Sequence, residues 1–344
     1  MGYLANYKRV GDGLTVFSNV ENGKAIIELT AYLQEAVSEE SQTGKSETEP
    51  SKMEVKADDA DIEAGYKVVN NLWVEFQILD CEDRVTAVAC VPAEEITTVK
   101  CLLIYPHLWN GMEDPCLYMV QAMLLCEGRI LDEVQTWHAV RTFQTLPIKG
   151  FCLNDKPIDI KGIYYTGEDL ESRDSNQLTQ QMLRDLQSIS AIGANTICVG
   201  RKVMNQEFFH KCDEMGFIVW KNPDTDSCRD FPELYGNGEN ALMSPDGRRK
   251  RDLYYYYKAC WTKEPFVHLC GHEDALREGD MTCVMVYSNQ KKVALYVNGI
   301  LFEFKEGAPE FQFEDIPLKS GSTVISVQSG ECYTSMTIQK IYAS

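Results

Sequence analysis

One short run limits what this chain can fold into more than any other feature: between 159 and 220 it passes through strand, helix, strand, helix, strand, and then stops. Residues 159–165 are a short apolar run, and 176–192 predict a helix with Leu178, Met182, Leu183, Leu186 and Ile189 on one stripe. Gly193 closes that helix and 195–199 is the next strand. A second helix over 205–215 ends at Gly216 and feeds Phe217-Ile218-Val219-Trp220. Short strands joined by single helices are parallel βα units. Three parallel strands leave two edges and an apolar face to be covered, by neighbouring segments or by a second copy of the chain. A homodimer through that surface is therefore expected.

On either side the period changes to that of half-buried strands. Lys24-Ala25-Ile26-Ile27-Glu28-Leu29-Thr30-Ala31-Tyr32 and Leu72-Trp73-Val74-Glu75-Phe76-Gln77-Ile78 alternate with a period of two, and 84–91, 98–105 and 117–124 follow as strands. This predicts an antiparallel sandwich of immunoglobulin-like size. The stretch 35–63, rich in Glu, Asp, Ser and Thr, has almost nothing to bury and reads as a solvated insertion or an acidic interaction arm. Residues 222–247 read as irregular connection and 252–261 as an aromatic helix. Strands return at 282–287, 292–297, 301–304, 323–327 and 335–341, with Asn298-Gly299 as a hairpin signal, so a second sandwich closes the sequence.

Composition excludes whole classes of partner. With 44% hydrophobic and 25% charged residues over 344 positions the chain is not disordered throughout, and a formal charge of -19 repels phosphate backbones and anionic lipid. Neither nucleic acid nor membrane is expected as a partner. The residues from Met1 to Arg9 carry no apolar core and no run of about 18 apolar residues occurs, which leads to the expectation of a soluble, cytoplasmic protein. The 13 cysteines lie at single positions without a C-x-x-C pair, and read as small buried hydrophobes in a reducing compartment.

Several motifs together resemble glycoside hydrolase family 2, the β-galactosidase and β-glucuronidase family. Pro106-His107-Leu108-Trp109 with Asp114-Pro115-Cys116-Leu117-Tyr118 is similar to the family's P-x-L-W … P-x-L-Y signature in its immunoglobulin-like middle domain. Arg141, Phe151-Cys152-Leu153-Asn154-Asp155-Lys156-Pro157 and Lys161-Gly162-Ile163 resemble the family's entry into its catalytic (β/α)8 barrel. Gly193-Ala194-Asn195-Thr196-Ile197 and Cys212-Asp213-Glu214-Met215-Gly216-Phe217-Ile218-Val219 resemble barrel strands two and three. Tyr254-Tyr255-Tyr256-Tyr257-Lys258-Ala259-Cys260-Trp261 and Pro265-Phe266-Val267-His268-Leu269 resemble the last barrel helix and the start of a C-terminal sandwich. The resemblance implies a multidomain β plus α/β fold: two immunoglobulin-like β-sandwiches, over 1–140 and 263–344, flanking a truncated (β/α) barrel remnant over 141–262.

The departures from the family bear on activity. A full barrel needs roughly 200 to 250 residues, whereas about 110 separate Pro147 from Trp261. The family's acid/base glutamate follows strand four in an Asn-Glu pair and its nucleophile sits on strand seven; here the gap holds only the reversed Glu239-Asn240. Where the family carries histidines and an acid after strand one, this chain has Tyr164, Tyr165, Thr166, Gly167 and Glu168; its strand-two Arg-x-x-His is matched by Cys198 and Arg201, and strand three ends in Lys221-Asn222. Retaining hydrolysis needs two carboxyl groups across the scissile bond. The expectation is a protein without glycosidase activity, without cofactor or metal, that binds a protein or a carbohydrate through Tyr164, Tyr165, Glu168, Arg201 and Trp220. The alternative is a rearranged glycosidase of β-linked sugars using Glu168, Asp169 and Glu207.

Other constellations point to structure. His268-Leu269-Cys270-Gly271-His272 places three possible zinc ligands on one face of a strand, but offers no fourth. Cys198 beside Arg201 is the best thiol for nucleophilic chemistry, against the plainer reading of a small residue filling the space of a lost arginine. Gly11-Asp12-Gly13 is no phosphate loop, since no strand precedes it and no helix follows. Trp220, Tyr164 and Tyr165 either form a stacking surface or plug a former pocket.

Overall fold

A computed structural model describes residues 2–4, 13–35, 72–166, 175–200, 206–221, 230–271 and 275–341. The chain divides into two compact units, Met1–Pro157 and Ile158–Ser344. Most of the acidic stretch 35–63, together with Glu168, Asp169, Arg201 and His272, lies outside the described residues.

In the first unit the two-residue alternation becomes two antiparallel sheets around one core. Strands β1 (Gly2–Leu4), β2 (Leu14–Glu21) and β3 (Lys24–Glu35) are followed by β4 (Leu72–Leu79), β5 (Val85–Pro92) and β6 (Ile96–Ile104), then β7 (Tyr118–Cys126) and β8 (Arg129–His138). Strand β3 pairs with β1, β2 and β6; the other sheet has the order β5-β4-β7-β8. Ala25, Ile27, Leu29 and Ala31 of β3 meet Val74, Phe76 and Ile78 of β4 and Val120, Ala122 and Leu124 of β7 in a shared core. Strand β8 had no expectation behind it. It is an edge strand without a single fully buried residue, so its sequence lacks apolar alternation.

Strands β9 (Phe143–Leu146), β10 (Gly150–Leu153) and β11 (Lys156–Pro157) form a small antiparallel sheet in the same unit. The recognition motifs hold it there. The Trp109 indole is fully buried beneath the Arg141 guanidinium, 4.2 Å from the ring centre. The Asn154 side chain donates to the Trp109 carbonyl at 2.9 Å and accepts from the Thr142 amide at 2.9 Å.

The second unit opens with β12 (Gly162–Tyr165), α1 (Ser175–Ala191), β13 (Thr196–Val199), α2 (Gln206–Glu214) and β14 (Ile218–Lys221). These match the expected strand–helix alternation, and Met182, Leu186 and Ile189 are buried as the stripe requires. Two further strands correct the reading of 222–247 as irregular: β15 (Glu233–Tyr235) and β16 (Ala241–Met243) join a five-stranded, wholly parallel sheet of order β14-β13-β12-β15-β16. Three residues apiece, among Asp, Gly, Pro and Asn, carry too little apolar pattern to be read as strands. Strand β15 covers the edge of β12, where the Tyr164 amide donates to the Pro232 carbonyl at 2.9 Å. The Arg251 guanidinium secures the tight β15–β16 connection by donating to the carbonyls of Gly236 and Gly238, both at 2.8 Å.

Helix α3 (Asp252–Trp261) leads into β17 (Val267–Leu269), β18 (Leu276–Glu278), β19 (Met281–Ser288), β20 (Lys292–Val297), β21 (Ile300–Glu306), β22 (Glu310–Pro317), β23 (Ser322–Ser329) and β24 (Cys332–Ile341). They form sheets of order β17-β19-β22 and β18-β24-β23-β20-β21 around Val286, Leu295, Phe313, Ile325 and Ile338. Asn298 and Gly299, with φ of 50° and 80°, make the expected turn between β20 and β21. Among the described residues, no helix is long and apolar enough to cross a membrane.

Candidate functional site

Register in the parallel sheet decides which candidate side chains share a face. Tyr164 pairs with Cys198 and Cys198 with Trp220, while Tyr164 also pairs with Glu233, so the four form one row across β14, β13, β12 and β15. Strands about 4.8 Å apart place Trp220 and Tyr164 roughly 10 Å from each other with the smaller Cys198 between them. Trp220 is 46% exposed, Cys198 is buried and Tyr164 is half-buried. The row therefore presents an indole and a phenol on either side of a buried, disulfide-bonded cysteine.

The preceding position in this row is already filled. Phe231 lies on Gly162 so closely that a Cβ there would sit 2.7 Å from its ring. Glu233 closes the row at the other end, its carboxylate lying against Gly236, where a Cβ would come within 2.9 Å.

Tyr165 does not belong to that surface. One residue along the strand means the opposite face, and Tyr165 is 2% exposed within the helix-side core, stacked on Phe208 with ring centres 5.4 Å apart. Its hydroxyl donates to buried Asp185 of α1 at 2.9 Å. Asp185 also accepts from Gln181 Nε2 at 2.6 Å and from the Tyr235 hydroxyl in a very short bond. Burial raises the Asp185 carboxyl above its ordinary range while its three donors pull the other way. Burial and the neighbouring Asp185 charge push both tyrosine hydroxyls up, so they stay protonated donors. Lys221 also faces the helices, its ammonium 4.1 Å from the Phe209 ring centre.

Cys198 is disulfide-bonded, and this removes it as a thiolate nucleophile. The bond also sits poorly with the expectation of a reducing compartment. Glu207, in the first turn of α2, accepts from the Thr179 hydroxyl at 3.3 Å and so belongs to the helix layer. His268 Nε2 donates to the Asp252 carboxylate at 3.0 Å and stacks on Tyr255 at 3.5 Å, joining β17 to the start of α3. The Asp252 carboxylate also accepts from the Gly271 amide at 3.1 Å.

A second feature had no counterpart in the sequence reading. An open cleft of about 930 Å³ between α1 and 243–250 is lined by Arg184, Arg248, Arg249 and Lys250. The basic run Arg248-Arg249-Lys250-Arg251 in so acidic a chain was the signal for it. Its cations are already engaged locally: Arg184 with Gln181, Arg248 with Asp246, and Lys250 with the Tyr254 hydroxyl and ring.

No family model matches the chain. It is similar to a β-glucuronidase of Bacteroides fragilis, 27% identical over 128 residues, which are 37% of this chain and 18% of that protein. It is also similar to the β-galactosidase BoGH2A of Bacteroides ovatus, 28% identical over 174 residues, 48% of this chain and 20% of that protein. The matched stretches thus span about a fifth of these curated relatives. In fold, the chain resembles an FMN-binding β-glucuronidase from Facaelibacterium prausnitzii L2-6 (TM-score 0.77, 17% identity, 99% of this chain and 75% of that one). A Bacteroides uniformis β-glucuronidase gives a TM-score of 0.75 at 12% identity, over 99% of this chain and 62% of that one.

Proposed function

For this chain, a relative of the β-glucuronidases and β-galactosidases of glycoside hydrolase family 2, we propose a non-catalytic role as a carbohydrate-binding protein. The two antiparallel units, over 1–140 and 263–344, are immunoglobulin-like sandwiches, and the α/β part between them is the remnant of a catalytic barrel. The carrying observation is the content of the parallel sheet. Among the described residues its five strands hold one carboxylate, Glu233, whereas hydrolysis by either stereochemical route uses two across the scissile bond. Asp185, the other acid nearby, is committed to three donors beneath the sheet.

The ligand class follows from this aromatic row. Sugar rings present flat C–H faces that stack on aromatic side chains, and Trp220 with Tyr164 offers two such platforms roughly 10 Å apart, about the length of two linked sugar residues. The relatives named above are enzymes of β-glucuronides and β-galactosides, so glycans with those termini are the first ligands to try.

Incubation with chromogenic β-glucuronides, β-galactosides and β-mannosides, beside a glycan array on the same preparation, tests the reading. Binding without turnover is expected, with Trp220→Ala lowering affinity about tenfold or more, equivalent to the ~1.4 kcal/mol of one good stacking contact. Turnover that disappears in Glu168→Gln or Glu233→Gln would overturn it in favour of a rearranged glycosidase.

A further inference from the structure

The first unit brings together three ligand atoms from two loops, the β4–β5 turn and the β6–β7 connection. The Cys81 and Cys116 sulfurs and a His107 ring nitrogen all lie within 4.8 Å of one another. Cys81 Sγ is 3.6 Å from His107 Nδ1. A tetrahedral zinc ion with Zn–S of about 2.3 Å and Zn–N of about 2.05 Å requires an S···N separation of roughly 3.5 Å. The cluster is therefore spaced for the ion with little adjustment.

Its surroundings are those of a built site. His107 Nε2 donates to the Asp114 carboxylate at 2.6 Å, which fixes the tautomer that leaves the Nδ1 lone pair free on the side of the sulfurs. The segments around Cys81 and His107 are held by hydrogen bonds. Cys81 sits in the β4–β5 turn, where Asp80 accepts from the Glu82 and Arg84 amides at 2.9 and 3.0 Å. The His107 amide donates to the Tyr118 hydroxyl at 2.8 Å, and the Asp114 carbonyl accepts from the Asn110 amide at 2.8 Å. Cys116 is buried, whereas Cys81 and His107 are exposed, which gives an ion an entry path and a solvent position as fourth ligand.

The geometry points to a zinc site formed by Cys81, His107 Nδ1 and Cys116, oriented by Asp114 and completed by water. Two thiolates and an imidazole select zinc over the hard cations magnesium and calcium. The ion clamps the β4–β5 turn to the β6–β7 connection, a structural role independent of the carbohydrate reading. The second group of ligand types, Asp252, His268 and Cys270, differs in that its carboxylate occupies the exposed ring nitrogen itself and the Gly271 amide as well.

The full chain, purified with reductant and stripped of metal, is titrated with zinc against a chromogenic chelator, and with cobalt(II) as a spectroscopic probe of thiolate ligation. One ion per chain is expected, with a thiolate-to-cobalt charge-transfer band that falls by half in Cys81→Ser and is absent in Cys81→Ser/Cys116→Ser. Zinc affinity should fall about 100-fold or more in His107→Gln and about 10- to 100-fold in Asp114→Asn. Asp252→Asn/His268→Gln should leave uptake unchanged. Cys81 and His107 are exposed, so their variants keep the far-ultraviolet circular dichroism of the parent. Three outcomes overturn the assignment: uptake surviving in the double cysteine variant, uptake lost in Asp252→Asn/His268→Gln alone, or a Cys81–Cys116 disulfide in protein prepared without reductant.

Discussion

Replacing Gly193 by alanine tests how the helices are held on the parallel sheet. Gly193 ends α1 with φ of 80°, its amide donating to the Ser190 carbonyl at 2.9 Å. A Cβ at that position would lie 2.8 Å from both the carbonyl carbon and oxygen of Trp261 and 3.0 Å from the Thr262 nitrogen, at the end of α3. These are backbone atoms, and Lys161 Nζ holds the Trp261 carbonyl at 3.1 Å, so no rotamer change relieves the contact. Two costs add: about 1 kcal/mol for a side chain at positive φ, and about 2 kcal/mol for displacing packed backbone. Gly299 separates them, because it has the same φ of 80° and nothing within 4 Å of its Cβ position. Gly299→Ala should therefore cost about 1 kcal/mol and Gly193→Ala about 3 kcal/mol. Native-state hydrogen exchange of α1 and α3 peptides in the full chain reads the first, and β20–β21 peptides the second, without assuming one global transition. Equal costs for the two variants would refute the claim that α1 and α3 meet backbone to backbone.

Two further predictions concern a half-buried histidine and a buried carboxylate. His138, bonded to Ser18 at 2.8 Å, is lowered to about 4 by burial and by the Arg141 charge. The unfolded chain then binds more protons between pH 4 and 6.5, so this contribution is complete above about 6.5 and is lost as pH falls toward 4. Urea unfolding of the parent should weaken by about 2 kcal/mol more than that of His138→Gln between pH 7 and 4.5, and identical pH profiles would remove His138 as the cause. Asp185→Ala strands two tyrosine hydroxyls and the Gln181 amide, for an expected loss of about 3–5 kcal/mol. A double-mutant cycle with Tyr165→Phe should return a coupling of about 1–2 kcal/mol, and additivity would show that the 2.9 Å bond carries no energy.

Much of this architecture is legible in local pattern. Helices α1, α2 and α3 lie within one residue of the periodicity reading at either end, because each buries a regular stripe. The long strands of both sandwiches are likewise visible, since a strand with one buried face repeats every second residue. Strands β15 and β16 were not, because three residues hold barely one period, and the strand that seats β15 in the sheet, β12, is some 70 positions away. The sequence reading joined Tyr164 and Tyr165 in one surface. The pleat separates them, one in the aromatic row and one under the helices.

By itself, then, the sequence determined where the helices and the long strands lie, which family its motifs resemble, and that about 110 residues carry the whole stretch from Pro147 to Trp261. Those are properties of neighbours along the chain and of chain length. Which side chains act together was decided only by tertiary structure. Trp220, Cys198 and Tyr164 align because three parallel strands share a register, and Cys81, His107 and Cys116 converge because the β4–β5 turn and the β6–β7 connection meet at one point. Neither grouping has a spacing of its own to read, since each joins residues brought together by sheet pairing and core burial rather than by the local geometry of the chain.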